Sequence, residues 1–220
     1  CDRKGAKIRS VAERHDYVAP AVSPDGKRVA VVISDANSGN RSIWLIDIAT
    51  DALTRFTSSP ANDWYPSWSH DGSRIAFASD RGRTSAIYQK ASNGATPEEL
   101  LFAASGPGGA FAPDYHPDGR LMLFQIDGAQ GTDINLWVLP LLGSRQPYPW
   151  ATSQFIELDA KFSPDGKWVA YSSNATGRFE LYVRRFDKPD AIRVSLNGGF
   201  HPMWRRDGRE LFFAAPGGVI

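Results

Sequence analysis

The chain has 220 residues, 42% hydrophobic and 12% aromatic with seven Trp, a profile of packed globular protein that excludes a disordered chain. Its 25 basic and 24 acidic residues leave a net charge of +1, which excludes a nucleic-acid footprint and an acidic interaction tail. The one cysteine, Cys1, excludes an internal disulfide and a zinc cage built from cysteines, and no apolar stretch approaches the length of a membrane span.

Cys1-Asp2 opens the chain. A leading cysteine suggests a lipid-modified terminus, but Cys1 through Ala12 aligns without a gap onto Ile46 through Thr57. That alignment favours an interior position, with residues 1–12 ending a preceding repeat. No leader opens these residues, so they are expected neither to cross nor to anchor in a bilayer.

From there the chain is organised by five Asp-Gly pairs: Asp25-Gly26, Asp71-Gly72, Asp118-Gly119, Asp165-Gly166 and Asp207-Gly208, spaced by 46, 47, 47 and 42 residues. Val22, Trp68, Tyr115, Phe162 and Trp204 each stand three residues before the Asp. Pro20, Pro66, Pro113 and Pro202 come just ahead of them in four copies. A period of 40 to 50 residues signals repeated supersecondary units. The repeats fall at about 13–58, 59–105, 106–152, 153–197 and, in part, 198–220.

The second copy gives the unit. Pro66–Ser69 reads as a short strand, Asp71-Gly72 turns the chain, and Ile75–Ala78 is a second strand. Asp80–Arg83 is a polar loop, Ile87–Lys90 a third strand, and Asn93-Gly94 another turn. Glu98–Ala104 has helical propensity, but its place in the repeat predicts an outer strand and loop. In Ser23-Pro24-Asp25-Gly26 the Ser suits the first turn position, Pro presets φ at the second, and Gly takes the left-handed position. Ser163–Gly166 repeats the turn, while His116, His70 and Arg206 replace individual members elsewhere, so the two histidines are read as surface-turn residues.

The second strands are continuous apolar runs: Val29–Ile33, Ile75–Ala78, Leu121–Phe124, Val169–Tyr171 and Leu211–Ala214. Such runs indicate burial on both faces, as in sheets sandwiched between neighbours. Four strands in such a unit make one propeller blade. The expectation is an all-β propeller with four whole blades and two partial ones. It is either a segment of a ring of six or more blades, the favoured reading, or a closed five-bladed ring. The fifth copy is expected to stop after its second strand, with a loop opening at Pro216.

The glycine-histidine and tryptophan-aspartate signatures of WD repeats are missing. Tyr65–Arg81 instead resembles the TolB-type propeller repeat, common in bacterial periplasmic proteins and in the propellers of some peptidases. Further phrases, Ser42–Asp47, Thr54–Thr57, Pro60–Trp64, Leu136–Leu141, Glu180–Phe186 and Trp204–Phe212, resemble the C-terminal propellers of acidobacterial transmembrane serine/threonine kinases. This resemblance implies an extracytoplasmic sensing or interaction module. The kinase activity does not carry over, because no Gly-rich loop, His-Arg-Asp or Asp-Phe-Gly is present. The alternatives are a stand-alone periplasmic interaction propeller of the TolB kind and the gating propeller of a serine peptidase.

No nucleophile elbow, His-Glu-x-x-His or P-loop is present, so no catalytic residue and no cofactor are expected. His15 and His201 precede first strands and border the expected channel mouth. Asp16, Asp63, Asp114 and Asp159 lie near strand starts, where a ring could hold a cation, although solvated loop carboxylates are favoured. The binding expectation rests on the rim shared by loops entering first strands and loops between second and third strands. That rim carries Asp16, Tyr17, Asp63, Trp64, Tyr65, Asp80, Arg81, Phe111, Arg178, Phe179, Phe200 and His201. Aromatics interspersed with charges suit a protein, peptide or glycan ligand. The competing reading packs about half of these aromatics between blades.

Overall fold

The computed structural model describes residues 16–104, 108–128, 133–216 and 218–219, which contain strands and turns and no helix. The first sheet holds β1 (Val18–Val22), β2 (Arg28–Ser34), β3 (Arg41–Asp47) and β4 (Leu53–Arg55) in chain order. The second holds β5 (Asp63–Trp68), β6 (Arg74–Ser79), β7 (Ala86–Ala91) and β8 (Glu99–Ala103). The third is β9 (Ala110–Tyr115), β10 (Leu121–Asp127), β11 (Ile134–Pro140) and β12 (Tyr148–Ala151). The fourth is β13 (Glu157–Phe162), β14 (Trp168–Ser173), β15 (Glu180–Arg185) and β16 (Ala191–Arg193). The fifth is β17 (Phe200–Trp204), β18 (Leu211–Ala215) and β19 (Gly218–Val219). All pairings are antiparallel, and the first strand of each sheet packs against the first strand of the next. This is a β-propeller with four four-stranded blades.

One local reading holds and one changes. Glu99–Ala103 forms the outer strand expected from the repeat, so tertiary pairing outweighs its helical propensity. The fifth sheet does not end at its second strand, because Gly218–Val219 pairs with Ala214–Ala215. Residues 1–12, with the Cys1 question, lie outside the described residues, as does His15.

The core lies between the blades. Ala30, Val32, Ile43 and Phe56 meet Trp68, Ile75 and Phe77 across the first interface. Ala76, Ala78 and Ile87 meet Tyr115, Met122 and Phe124 across the second. Leu123, Leu136 and Val138 meet Phe162, Val169 and Tyr171 across the third. Alternate residues of each second strand thus face opposite neighbours, which is why these strands read as unbroken apolar runs. Each Val, Leu, Ile, Phe or Met among them contributes roughly 1.5–3 kcal/mol when fully buried.

Polar contacts set the angle between blades. Trp68 donates its indole N–H to the carbonyl of Ala21 (2.9 Å), and Trp204 does the same to Lys161 (3.0 Å). Asp114 accepts from Lys161 Nζ (3.0 Å) and from the backbone N–H of Phe162 (2.9 Å). His116 is no simple surface-turn residue. Its ring packs edge-on against Phe162 at 4.8 Å in the next blade, so a side chain at that turn position fills an inter-blade gap.

The Asp-Gly turns close the opposite rim. Gly26 N donates to Ser23 O at 2.8 Å, and Gly26 has φ 72°, a conformation that glycine adopts without steric cost. Asp25 Oδ1 accepts from Ser23 Oγ (2.6 Å) and Lys27 N (3.0 Å). Asp71 and Asp165 make the same contacts, so the repeated Asp is an internal brace of the hairpin.

Candidate functional site: the channel mouth

Each innermost strand carries a β-bulge. Pairing breaks between Val18 and Ala21 in β1, Trp64 and Ser67 in β5, Leu158 and Lys161 in β13, and Phe200 and Met203 in β17. In the third blade it breaks along β10 between Leu123 and Gln125. One residue of every bulge is left-handed and none is glycine: Ala19 (φ 49°), Tyr65 (51°), Ala112 (47°), Asp159 (57°) and His201 (51°). All five stand six positions before the Asp of their Asp-Gly turn. A left-handed non-glycine residue costs about 1–2 kcal/mol, and a bulge turns its side chain away from the pleat. The fold therefore spends strain at one register to aim five side chains.

Three of these side chains carry chemistry, and two of them meet. His201 Nδ1 lies 2.8 Å from Asp159 Oδ2, linking the fifth blade to the fourth. The His201 side chain is 75% exposed, whereas Asp159 is 19% exposed. The backbone N–H of Asp159 donates to Gln125 Oε1 of the third blade at 3.4 Å. The Tyr65 hydroxyl is pushed up by burial first, then by the negative charges of Asp159 and Asp127. Those carboxylates belong to the fourth and third blades, so the ring from the second blade senses charge across the opening.

Aromatic pairs flank this centre. Tyr65 meets Phe111 edge-on at 6.5 Å. On the other side Phe179 lies 5.1 Å from Phe200, which in turn lies 6.3 Å from His201. Between the second and third blades the same rim opens into a cleft of about 330 Å³ bordered by Arg83, Ser85, Gly109, Phe111 and Asp127. Asp127 Oδ1 has no hydrogen-bond partner there, and burial raises the Asp127 pKa. The mouth thus joins apolar rings to two carboxylates and one imidazole. His201 faces Asp159 and Phe200 rather than a nucleophile, an arrangement suited to holding a ligand.

The rim residues expected from sequence separate into two sets. Tyr65, Phe111, Phe179, Phe200 and His201 form the mouth. Asp63, Asp80, Arg81 and Arg178 build loops instead. Asp63 is fully buried and accepts from Arg81 Nη2 at 2.9 Å, so it is a structural anion and not a ligand contact. Arg81 also donates to Glu98 and, through Nε, to Ser79 Oγ (2.8 Å), with its guanidinium 4.3 Å over the Tyr88 ring. Asp80 accepts from the Asn62 backbone and side chain, both at 2.8 Å. Arg178 bonds Glu180 Oε1 at 2.6 Å and the carbonyl of Leu196. Trp64 packs into the second inter-blade core and Tyr17 beside Val31, Ile33 and Ile46 of the first blade. Asp16 is exposed just ahead of β1.

The carboxylate ring does not assemble. Relative to their Asp-Gly turns, Asp63, Asp114 and Asp159 occupy three different registers, and each has its own nitrogen-bearing neighbour: Arg81, Lys161 and His201. Among the described residues no cluster of three His, Cys, Asp or Glu side chains is placed to hold a metal. Sequence reasoning missed Gln125 and Asp127. Their signal was an apolar run, Leu121–Phe124, that continues into polar residues while still paired as strand.

Known proteins resemble this chain in sequence and fold. Residues 3–105 match the model of the TolB beta propeller domain. The chain is 30% identical over 189 residues to the Tol-Pal system protein TolB of Francisella tularensis subsp. tularensis, covering 83% of this chain and 39% of that protein. It is 27% identical over 195 residues to the uncharacterized peptidase YuxL of Bacillus subtilis, covering 71% of this chain and 29% of that protein. It thus spans well under half the length of either relative. The solved structure of putative TolB from Agrobacterium tumefaciens superimposes with a TM-score of 0.77 at 20% identity, over 92% of this chain and 70% of that one. These similarities support a TolB-type β-propeller.

Proposed function

We propose that this TolB-type propeller is a non-catalytic binding module whose channel mouth grips a segment of a partner protein. The observation that carries the reading is the contact of His201 with Asp159 across two blades, at a left-handed register that the second blade fills with Tyr65. A register that every blade strains, and that three blades fill with a phenol, a carboxylate and an imidazole, favours recognition over scaffold. The flanking pairs Tyr65–Phe111 and Phe179–Phe200 supply apolar area for a peptide backbone or side chain.

The test starts from peptides selected out of a displayed random library on the immobilised chain. Bound peptide is expected to slow hydrogen exchange in residues 63–68, 157–162 and 200–204. Protection confined to the Asp-Gly rim would overturn the reading.

The finer reading is an extracytoplasmic sensing module of a bacterial signalling protein, such as a membrane serine/threonine kinase. It rests on the sequence phrases from Ser42–Asp47 to Trp204–Phe212. The likeness to YuxL favours a second reading, the propeller of a peptidase. Reading the native open reading frame on both sides separates them. A kinase domain and an apolar span upstream support the first, and a hydrolase domain with a nucleophile elbow downstream supports the second.

A further inference from the structure

The cleft between the second and third blades has walls of opposite charge. Arg83 and Ser85 come from the loop joining β6 to β7, and Asp127 and Gly128 from the end of β10 and the residue after it. Two backbone bonds fix the walls. Ala110 N donates to Ser85 O across the two blades at 2.9 Å, and Asp127 N donates to Gly109 O at 3.0 Å. Bare backbone lies between them. A Cβ on Gly109 would come within 2.7 Å of the Phe111 ring and 2.9 Å of Ser85 Cβ, so a side chain there would collide with both. The opening of about 330 Å³ falls at the small end of the range for small-molecule sites.

The charged groups of this cleft are idle. Asp63, Asp114 and Asp159 face Arg81, Lys161 and His201, but among the described residues nothing bonds the Asp127 carboxylate. Asp127 is half-buried rather than sealed, and burial alone raises its pKa, with no cation close enough to offset it. The exposed Arg83 guanidinium is likewise without a partner among the described residues. A Cβ on Gly128 would run into the Asp133 carboxylate, so a second anion stands at the Asp127 end. A lysine or arginine from a partner would suit Asp127 but meet Arg83 as a like charge. A lone carboxylate would suit Arg83 but be repelled by Asp127. A molecule that carries both charges satisfies both walls.

We propose that this cleft binds a free apolar α-amino acid as its zwitterion. The ammonium group sits at Asp127, the carboxylate is held by the Arg83 fork, and the side chain lies against the Phe111 ring. Arginine suits the carboxylate end because its planar guanidinium matches both oxygens. The inference goes beyond the grip on a partner segment and stands whatever occupies the channel mouth.

L-phenylalanine and L-leucine are the probes, titrated into the whole chain and followed by NMR. Saturable binding of at least one is expected, with backbone shifts at residues 83–85, 109–111 and 127–128. N-acetyl-L-phenylalanine lacks the ammonium charge and L-phenylalanine amide lacks the carboxylate, so each should bind at least about tenfold more weakly than its parent. The same comparison applies to the leucine analogues. Asp127→Asn and Arg83→Ala should each weaken binding by about tenfold or more, and Arg206→Ala on the opposite rim should leave it unchanged. The comparison of analogues needs no substitution, so it decides the matter even if a variant folds poorly. No saturable binding of either amino acid, or shifts confined to other residues, would overturn the proposal. An amide that binds as tightly as its parent would also overturn it, in favour of a simple cation, and an equally tight N-acetyl analogue would do so in favour of a simple anion.

Discussion

His201 of the fifth blade sits 2.8 Å from Asp159 of the fourth, and both occupy the left-handed residue of their innermost strands. Two strained positions in neighbouring blades therefore meet side chain to side chain. The same register carries alanine in the first and third blades, where the bulge persists without the chemistry. The bulge belongs to the fold, and the side chains placed on it distinguish this mouth.

Ala112→Gly tests the strain directly. Alanine at φ 47° is disfavoured, and glycine adopts that conformation readily. The substitution is expected to be neutral or to stabilise by up to about 1 kcal/mol in urea unfolding, after the entropy lost to glycine is included. Ala76→Gly, in a buried strand interior, should instead destabilise. Equal losses at both positions would contradict the assignment of strain.

Removing Arg81 should be among the most damaging surface-loop changes in the chain. Asp63 is fully buried and Arg81 is its cationic partner, so Arg81→Ala strands a charge. A loss of about 3–5 kcal/mol is expected from denaturant midpoints. Arg83→Ala, two residues away and exposed, should change stability by about 0.5 kcal/mol or less.

Trp68→Phe keeps the ring in the first inter-blade core but removes its N–H bond to Ala21 O. A cost of about 1 kcal/mol is expected, with the larger share from the carbonyl left unpaired. Thermal unfolding of Trp68→Phe measures it, and an unchanged Tm would show that the bond adds nothing.

Two classes of carboxylate should shape the pH profile in opposite ways. Ser69 Oγ and the Ser73 N–H hold Asp71 below its ordinary value of 3.8. Its contribution is complete above that value and is lost as pH falls through the depressed folded pKa. Burial raises Glu157 above 4.5, partly offset by the Ser153 hydrogen bond. There the native state holds the proton more tightly than the unfolded chain. Stability therefore falls as pH rises from 4.5 through the raised value. Urea midpoints of Glu157→Gln should converge with wild type in acid and exceed it above that window, while Asp71→Asn should flatten the acid limb.

The blades were legible in sequence because their determinants are local and repeated. Gly26 and its equivalents announce the hairpin turns, and runs such as Val29–Ile33 announce strands covered on both faces. The start of the first strand was harder to read. In the sequence Asp63–Tyr65 reads as rim loop ahead of a strand at Pro66, whereas β5 begins at Asp63 and absorbs the irregularity as a bulge. Left-handed residues usually show themselves as glycine or asparagine, and here they are Ala, Tyr, Ala, Asp and His. The Asp63–Arg81 pair was hidden for a different reason. Both residues look like ligand-facing charges until burial shows that they pair with each other. Only the common spacing to the Asp-Gly turns could have grouped Tyr65, Asp159 and His201.

The most direct measurement of the central claim compares peptide binding to wild type and to the Tyr65→Ala/His201→Ala double variant, using peptides selected from a random library on the wild-type chain. Arg206→Ala, exposed on the Asp-Gly rim, serves as the control. A mouth that grips its partner predicts affinity at least about tenfold weaker in the double variant and unchanged in the control. Peptides that bind all three proteins equally would place recognition elsewhere on the propeller and contradict the account.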